Sequence, residues 1–323
     1  MNETRTTCPY CGVGCGIIAS LNADGQVTVR GDEQHPANFG RLCVKGAALG
    51  ETVGLTGRLL FPEVDGGRAT WAQALAAAGS RLREIIDEHG PQAVAFYASG
   101  QLLTEDYYVA NKLMKGFIGA ANIDTNSRLC MSSAVTGYKR ALGADVVPCS
   151  YEDVENSDLV VLVGSNAAWA HPVLYQRLAQ AKRDNPQMRV VVIDPRRTAT
   201  CDIADRHLAL APGSDGGLFV GLLNAIAARD DICGDFSDAP QALAIAQDWD
   251  INHVAQFCGL PRQQIADFYS EFIAAPRAIT LYTMGINQSA SGSDKCNAII
   301  NVHLASGKYG RPGCGPFSLT GQP

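Results

Sequence analysis

The sequence predicts an α/β protein in which a small N-terminal domain precedes doubly wound, mostly parallel α/β regions. Residues 158–164 and 189–194 are nearly continuous runs of Val, Leu and Ile, and a helix-like segment over 173–183 separates them. Such runs alternating with helices are typical of a parallel sheet covered on both faces. The third observation is a crowded group of cysteines near the N-terminus, among glycines, which indicates a separate small domain.

The remaining elements follow in chain order. After a glycine-rich linker over 54–67, apolar periodicity alternates between the helical and the extended repeat. Strands are predicted over 27–31, 93–98, 158–164, 189–194, 208–211 and 278–284, and helices over 71–89, 103–118, 173–183, 217–229 and 262–274. We place the domain boundaries so that residues 1–57, 58–135 and 136–323 form three regions.

Composition excludes several classes of protein. The 26 Lys and Arg against 32 Asp and Glu give a net charge of −6, so we expect neither nucleic acid nor a membrane as a partner. No stretch reaches the roughly 18 apolar residues of a membrane helix. The first residues lack an apolar signal core and a twin arginine, so we expect a cytoplasmic location. The odd count of 11 cysteines excludes complete disulfide pairing and favours metal or redox chemistry.

Four cysteines have the spacing of an iron–sulfur site. Cys8, Cys11, Cys15 and Cys43 read C-x2-C-x3-C-x27-C, and four thiolates, often three close together and one remote, hold such clusters. A structural zinc site and buried thiols without a ligand remain alternatives, although zinc sites more often use two separated C-x2-C pairs. Lys45 follows Cys43 closely, either as a cation beside the cluster or as an ordinary surface lysine.

Polar loops follow the predicted strands at the edge where α/β sheets bind ligands. Gly164-Ser165-Asn166, Asp194-Pro195-Arg196, Pro212-Gly213-Ser214-Asp215 and Met284-Gly285 each follow a strand. Their donors and carboxylates suit a nucleotide, although each loop could be a plain turn or helix cap. The fingerprint G-x-G-x-x-G is absent, which disfavours an NAD site. His171 could likewise cap a helix or face the ligand.

Cys130 follows a polar loop and precedes a helix-like stretch. A position near a helix N-terminus suits a metal ligand or a nucleophile, and Arg128 would reinforce that effect. A buried core thiol is the alternative. The other six cysteines, which show no metal-binding spacing, are interpreted as structural.

Together these motifs resemble the molybdopterin oxidoreductases of the dimethyl sulfoxide reductase family. The resemblance implies a 4Fe-4S cluster on Cys8, Cys11, Cys15 and Cys43, with Lys45 between the cluster and the pterin. It implies a discontinuous α/β domain that carries the molybdenum-ligand loop, with Cys130 as the ligand. It also implies a molybdenum bis(molybdopterin guanine dinucleotide) cofactor, held by residues at the strand ends. These are Gly164, Ser165, Asn166, His171, Asp194, Pro195, Arg196, Thr198, Pro212, Gly213, Ser214, Asp215, Met284, Gly285, Asn287, Gln288, Gly321 and Gln322.

Segments 126–134 and 311–322 are similar to nitrate-reducing members of the family, of the assimilatory and periplasmic type. The missing export signal favours the cytoplasmic, assimilatory type. The resemblance implies reduction of nitrate to nitrite, with Arg128 and Met131 shaping the anion pocket. It leaves ferredoxin, flavodoxin or an NADH-dependent reductase as the electron donor. Two alternatives remain, a formate dehydrogenase of the same family and a non-catalytic iron–sulfur electron-transfer subunit. Because family members are much longer, we expect the sequence to be an N-terminal fragment.

Overall fold

The structure is a computed structural model that describes residues 2–100, 102, 104–229, 232–233, 236 and 239–319. Its contacts divide the chain into two compact units. The first unit comprises Met1–Asp32 and Val44–Leu129, and the second comprises Glu33–Cys43 and Cys130–Pro323. The domain boundaries predicted after residues 57 and 135 stay predictions.

The first unit begins with a three-stranded antiparallel sheet. Its strands are β1 (Asn2–Thr7), β2 (Gly16–Leu21) and β3 (Val27–Gly31), in that order. The strand predicted over 27–31 is therefore confirmed. The loop that joins β1 to β2 spans residues 8–15 and carries three of the four clustered cysteines. A short helix, α1 (Val44–Ala47), lies close to β3.

The rest of the first unit is a small α/β region. A short hairpin of two-residue strands, β4 (Glu63–Val64) and β5 (Gly67–Arg68), begins in the predicted linker. Helix α2 (Trp71–His89) has the bounds predicted from the sequence. The strands β6 (Phe96–Ala98) and β7 (Ile123–Thr125) pair in parallel. Between them lie α3 (Thr104–Asn111) and a π-helical continuation over Lys112–Ile118, and α4 (Ser127–Cys130) follows β7.

A five-stranded parallel sheet forms the centre of the second unit. Its strands are β8 (Leu159–Val163), β9 (Arg189–Ile193), β10 (Arg206–Leu208), β11 (Ala278–Tyr282) and β12 (Gly315–Ser318). Their order is β10-β9-β8-β11-β12, and all four pairings are parallel. The chain therefore runs outward from β8 to β10 and returns to the other side of β8. This reversal makes the space between β8 and β11 the topological switch point, where ligands bind in such sheets.

Helices cover both faces of this sheet. They are α5 (Ser132–Leu142), α6 (Tyr151–Glu155), α7 (Ala167–Ala170), α8 (Pro172–Asp184), α9 (Asp215–Ala227), α10 (Pro240–Gln247), α11 (Ile251–Cys258), α12 (Arg262–Ala274), α13 (Met284–Asn287) and α14 (Gly292–Ala305).

Two separate hydrophobic cores show why these strands are apolar throughout. Val161 and Val163 of β8 belong to the core that includes side chains of α9, α12 and α14. Val160 and Leu162 of the same strand belong to the core that includes side chains of α8 and β12. Because successive side chains point to opposite faces, a strand buried on both sides needs apolar residues at every position. This arrangement confirms the predicted doubly wound parallel sheet.

Two predicted strands are misplaced. The strand predicted over 93–98 is limited to Phe96–Ala98, because Pro91–Ala93 form a 3-10 turn. The side chain of Tyr97 in this strand is 74% exposed. The strand predicted over 208–211 ends at Leu208, because the N–H of Ala211 donates to the carbonyl of Cys258 rather than to the sheet. No helix in the described part of the chain is long and apolar enough to cross a bilayer.

Candidate functional site

The cysteine loop of the first unit is the closed end of the β1–β2 hairpin. The N–H of Cys8 donates to the carbonyl of Cys15 at 2.9 Å, which extends the ladder that pairs Thr7 with Gly16. The two cysteines therefore face each other across the hairpin, and Cys11 lies in the connecting turn. Gly14 has a φ of +62°, a conformation that favours glycine, and its N–H donates to the carbonyl of Cys11. Three thiols are thus gathered on one short loop.

This thiol set suits an iron–sulfur cluster. No disulfide joins any of the eleven cysteines, all of which lie in the described part of the chain. Among the described residues, no three His, Cys, Asp or Glu side chains are arranged to hold a single metal ion. A 4Fe-4S cluster distributes its thiolates over four irons, so its ligands need not reach one ion. Cys43, the predicted fourth ligand, is half-buried and directly precedes α1.

Lys45 lies beside the cysteine loop. It occupies the exposed side of α1, and its Nζ is 5.8 Å from the ring centroid of Tyr10, which separates Cys8 from Cys11 in the sequence. The contact favours the interpretation of Lys45 as a cation near the cluster, and its catalytic role stays a prediction.

At the switch point, two glycines bring the ends of β8 and β11 together. The N–H of Gly285 donates to the carbonyl of Gly164 at 3.0 Å, and the Thr283 hydroxyl donates to the same carbonyl at 2.8 Å. A Cβ on Gly285 would lie 2.5 Å from the Cα of Gly164. Gly164 also has a φ of +53°. Both positions therefore require glycine, because the backbones of the two strand ends pack directly against each other.

Two buried hydroxyls beside this edge have no hydrogen-bond partner among the described residues. Ser165 follows β8 and is 1% exposed, and Thr198 follows β9. Buried hydroxyls are nearly always hydrogen-bonded. A bound ligand could therefore supply the missing hydrogen-bond partner of Ser165 Oγ and of Thr198 Oγ1. The side chain of Asn166 is instead held within the fold, because its Oδ1 accepts from the Thr200 hydroxyl at 3.0 Å.

The loop after β9 is a turn that its own carboxylate stabilises. Asp194 Oδ1 accepts the N–H of Arg196 at 2.8 Å, and the carbonyl of Asp194 lies 2.9 Å from Nε2 of His207. Pro195 and Arg196 are exposed. The Asp194 carboxylate thus has a partner within the turn, and the cofactor contacts predicted for Asp194, Pro195 and Arg196 stay predictions.

The loop before α9 makes side-chain contacts within the fold. Ser214 donates its hydroxyl to the carbonyl of Ala211 at 2.7 Å. Asp215 forms a buried ion pair with Lys295 of α14, with 2.5 Å between Oδ2 and Nζ. Pro212 and Gly213 are exposed. Ser214 and Asp215 thus have partners within the fold, and their cofactor contacts stay predictions.

Cys130 and Met131 lie at the same edge, next to the residues that follow β11. The side-chain amide of Gln288 points at the Cys130 sulfur, with 3.6 Å between Nε2 and Sγ. The amide of buried Asn287 reaches the sulfur of Met131 at 3.6 Å. Cys130 is half-buried and immediately precedes Met131, the N-cap of α5. The fold thus places the predicted molybdenum ligand beside the predicted pterin loops, although 158 positions separate Cys130 from Gln288.

His171, Met284 and the remaining predicted residues lie as follows. His171 is buried between α7 and α8, and its N–H donates to the carbonyl of Ala167. Met284 is 38% exposed at the start of α13. The side chain of Arg128 and residues Gly321 and Gln322 lie outside the described part of the chain. Sequence reasoning missed Thr200, Thr283 and Lys295, of which only Thr283 carried a signal, its position directly after a strand.

Comparison with known proteins identifies the family to which each part of the chain is similar. Residues 1–54 match the molybdopterin oxidoreductase Fe4S4 domain, and residues 58–321 match the molybdopterin oxidoreductase family. The chain is 92% identical to a nitrate reductase of Klebsiella oxytoca over its whole length, which covers 37% of that relative. It is 45% identical to a nitrate reductase of Shewanella frigidimarina, of which it covers 36%.

A solved structure supports the fold alone. The chain matches the acetylene hydratase of Pelobacter acetylenicus with a TM-score of 0.78 at 20% identity, over 94% of this chain and 43% of the other. The chain therefore spans less than half the length of these relatives. The family matches support a 4Fe-4S cluster and a molybdopterin cofactor. The chain belongs to the molybdopterin oxidoreductase family.

Proposed function

We propose that the protein reduces nitrate to nitrite at molybdenum, with electrons that enter through the 4Fe-4S cluster. The observation that carries the proposal is the position of Cys130 and Met131 at the switch-point edge, beside Gln288 and Asn287. Two relatives that are 92% and 45% identical to the chain are nitrate reductases, which supports nitrate as the substrate. Met131 follows the proposed ligand at the position where a resemblance to formate dehydrogenases would require His.

The bound cofactor would supply the two-electron chemistry, and the side chains would hold and tune it. The Cys130 thiolate is the proposed molybdenum ligand. Gln288 donates toward its sulfur, and a hydrogen bond to a metal-bound sulfur tunes the metal. Asn287 is 3% exposed and fixes the Met131 side chain next to the ligand. A cation near the metal, for which we propose Arg128, would attract nitrate.

We further propose that the pterin carries guanine dinucleotides. The partnerless hydroxyls of Ser165 and Thr198 among the described residues, together with the exposed Arg196, support a phosphate-bearing ligand at this edge. Heat denaturation of the holoprotein should release guanine nucleotide. Release of cytosine nucleotide, or of pterin without a nucleotide, would contradict this part of the proposal.

Three finer points are also proposals. The resemblance to assimilatory enzymes supports nitrate assimilation in the cytoplasm. Ferredoxin, flavodoxin and an NADH-dependent reductase are the candidate donors. Following the family resemblance, Lys45, which lies near Tyr10 of the cysteine loop, is proposed to take part in electron transfer from the cluster to the pterin. Cell fractionation, and reduction of the cluster by each purified donor, would test these points.

An activity assay tests the main proposal. Purified holoprotein with reduced methyl viologen should form nitrite from nitrate, and it should not oxidise formate in the presence of oxidised viologen. Formate oxidation without nitrite formation would make the protein a formate dehydrogenase. A reducible cluster with neither activity would favour the non-catalytic electron carrier.

A further inference from the structure

Arg177, on the buried side of α8, is a cation that the proposed reaction does not use. Its side chain is 1% exposed. The guanidinium forms a two-pronged ion pair with Glu155 of α6, with 2.5 Å between Nε and Oε1 and 2.9 Å between Nη2 and Oε2. The ion pair accounts for two of its three nitrogens. Burying a guanidinium is costly unless its N–H groups are hydrogen-bonded. The partners of the third nitrogen, Nη1, therefore show which other part of the chain Arg177 binds.

The third nitrogen binds the segment that ends in Cys43. Nη1 of Arg177 donates to the carbonyls of Pro36 and Ala37 at 3.1 and 3.0 Å. The guanidinium also lies 5.1 Å from the ring centroid of Phe39. One residue earlier on the helix, the amide of Gln176 donates to the carbonyl of Leu42 at 3.3 Å. Segment 33–43 is therefore attached to α8 along its length, up to the residue before Cys43.

Segment 33–43 also has a backbone that needs an external support. Phe39 has a φ of +44° and Gly40 a φ of +79°, so two successive residues are left-handed. A bulky residue such as Phe is rarely found in that region, and it stays there only where its surroundings enforce it. Within the segment, Asn38 is fully buried and its amide donates to the carbonyl of Arg41 at 2.8 Å. Arg177 supplies the outer contacts of this turn.

The helix that holds this segment begins at the proposed pterin edge. Helix α8 starts at Pro172, directly after His171 and six residues after Asn166. One helix of the second unit thus connects the loop that follows β8 with the segment that ends in Cys43. A cluster's potential depends on how its thiolates are held and on the hydrogen bonds around them. The position of the Cys43 thiolate relative to this loop therefore matters for function.

We propose that Arg177 is a positioning residue for electron transfer, which fixes the Cys43 thiolate to the helix that follows the first pterin loop. The proposal rests on the proposed function only in that Cys43 binds the cluster. It assigns Arg177 no contact with substrate or cofactor. Lysine cannot replace it, because lysine lacks the planar fork that reaches a carboxylate and two carbonyls together.

Arg177→Lys in the holoprotein tests the proposal with two readouts. Amide hydrogen exchange over residues 36–43 should become about 10- to 100-fold faster, which corresponds to the loss of one charged hydrogen bond. The midpoint potential of the cluster, followed by electron paramagnetic resonance, should shift as well. Arg183→Lys is the matched control, because Arg183 lies on the same helix near its exposed end. It should change neither quantity.

Unchanged exchange and potential would overturn the proposal. Faster exchange with an unchanged potential and cluster spectrum would also overturn it, because Arg177 would then be structural only. If Arg177→Lys does not fold, Gln176→Ala removes only the bond to Leu42 and should produce smaller changes in the same two readouts. Neither readout uses nitrate, so failure of this proposal is distinguishable from failure of the proposed function.

Discussion

Cys130 is the residue on which the proposed chemistry depends. Replacement by Ser should lower nitrate reduction more than about 100-fold, because loss of hydrogen bonds around a metal ligand already costs about 10- to 100-fold. The resonance signal of the cluster should remain, since its proposed ligands are other cysteines. Cys233→Ser is the control. Cys233 is a half-buried thiol, and the hydrogen bonds of its backbone in the described part of the chain join it to Ala305 and Phe236, not to site residues. Wild-type activity in Cys130→Ser would remove Cys130 as the molybdenum ligand.

His303 gives the fold a pH dependence of known sign. Burial lowers its pKa from 6.5 to about 3. The neutral ring, fully buried, lies 3.0 Å from the Lys308 carbonyl through Nδ1 and 2.8 Å from the Thr280 hydroxyl through Nε2. Below about pH 6.5 the unfolded chain takes up a proton that the folded chain does not, so stability falls as the pH drops toward about 3.

Replacement of His303 by Gln tests this pH dependence. Within that window the wild type should lose up to about 1.4 kcal/mol of unfolding free energy per pH unit more than His303→Gln loses. Urea denaturation at about pH 7 and about pH 5 measures the difference. Equal pH slopes in the two proteins would show that His303 is protonated in the folded state.

At the residue scale, the sequence indicates which residues are candidates for a site better than it indicates what each of them contacts. The three cysteines of loop 8–15 lie together at the end of one hairpin, as their close spacing requires, and their cluster role and that of Cys130 stay predictions. Asp215 shows the limit, because a carboxylate before a helix looks like a cofactor contact or a cap. Its partner Lys295 lies on α14, far along the chain. An ion pair between distant helices depends on the tertiary fold, which no local pattern encodes.

At the scale of elements, the contact between the ends of β8 and β11 shapes the site. Gly285→Ala would place a Cβ 2.5 Å from the Cα of Gly164, which is backbone and cannot move aside. We expect the unfolding free energy to fall by about 1–3 kcal/mol, the usual cost of overpacking. Urea denaturation is the measurement.

Gly79→Ala is the control for this prediction. Gly79 is exposed within α2, and a methyl group at this position would meet no atom within 4 Å. Alanine there should stabilise the protein by about 0.5–1 kcal/mol, because glycine is a poor helix former. If both variants had the same stability, the close approach of the two strands would not exist in solution.

Helices with a strong apolar periodicity were predictable, whereas a short strand near the end of the chain was not. The helices Trp71–His89 and Arg262–Ala274 have the predicted bounds. Strand β12 was missed, because Gly315-Pro316-Phe317-Ser318 contains residues that disfavour strands. It forms because its backbone pairs with β11 and because Tyr138 accepts from the N–H of Ser318 at 2.9 Å. Tertiary contacts therefore stabilise this strand, although the local sequence preference did not predict it.

At the scale of the whole molecule, the chain carries two proposed metal centres. The first unit gathers three cysteines on the β1–β2 hairpin, and the second unit places Cys130 at the switch point of a parallel sheet. Segment 33–43 is close to the first cysteines in sequence but belongs by its contacts to the second unit. Arg177 holds it there. The chain covers 37% of the length of the Klebsiella oxytoca nitrate reductase, so nitrate reduction by this protein is a proposal.

Quantification of metals in the purified holoprotein tests the presence of both centres most directly. We expect about four irons and about one molybdenum per chain, because four thiolates hold a 4Fe-4S cluster and a fifth binds molybdenum. Iron without molybdenum would contradict the role of Cys130 and the switch-point loops. Zinc in place of iron would contradict the assignment of Cys8, Cys11, Cys15 and Cys43.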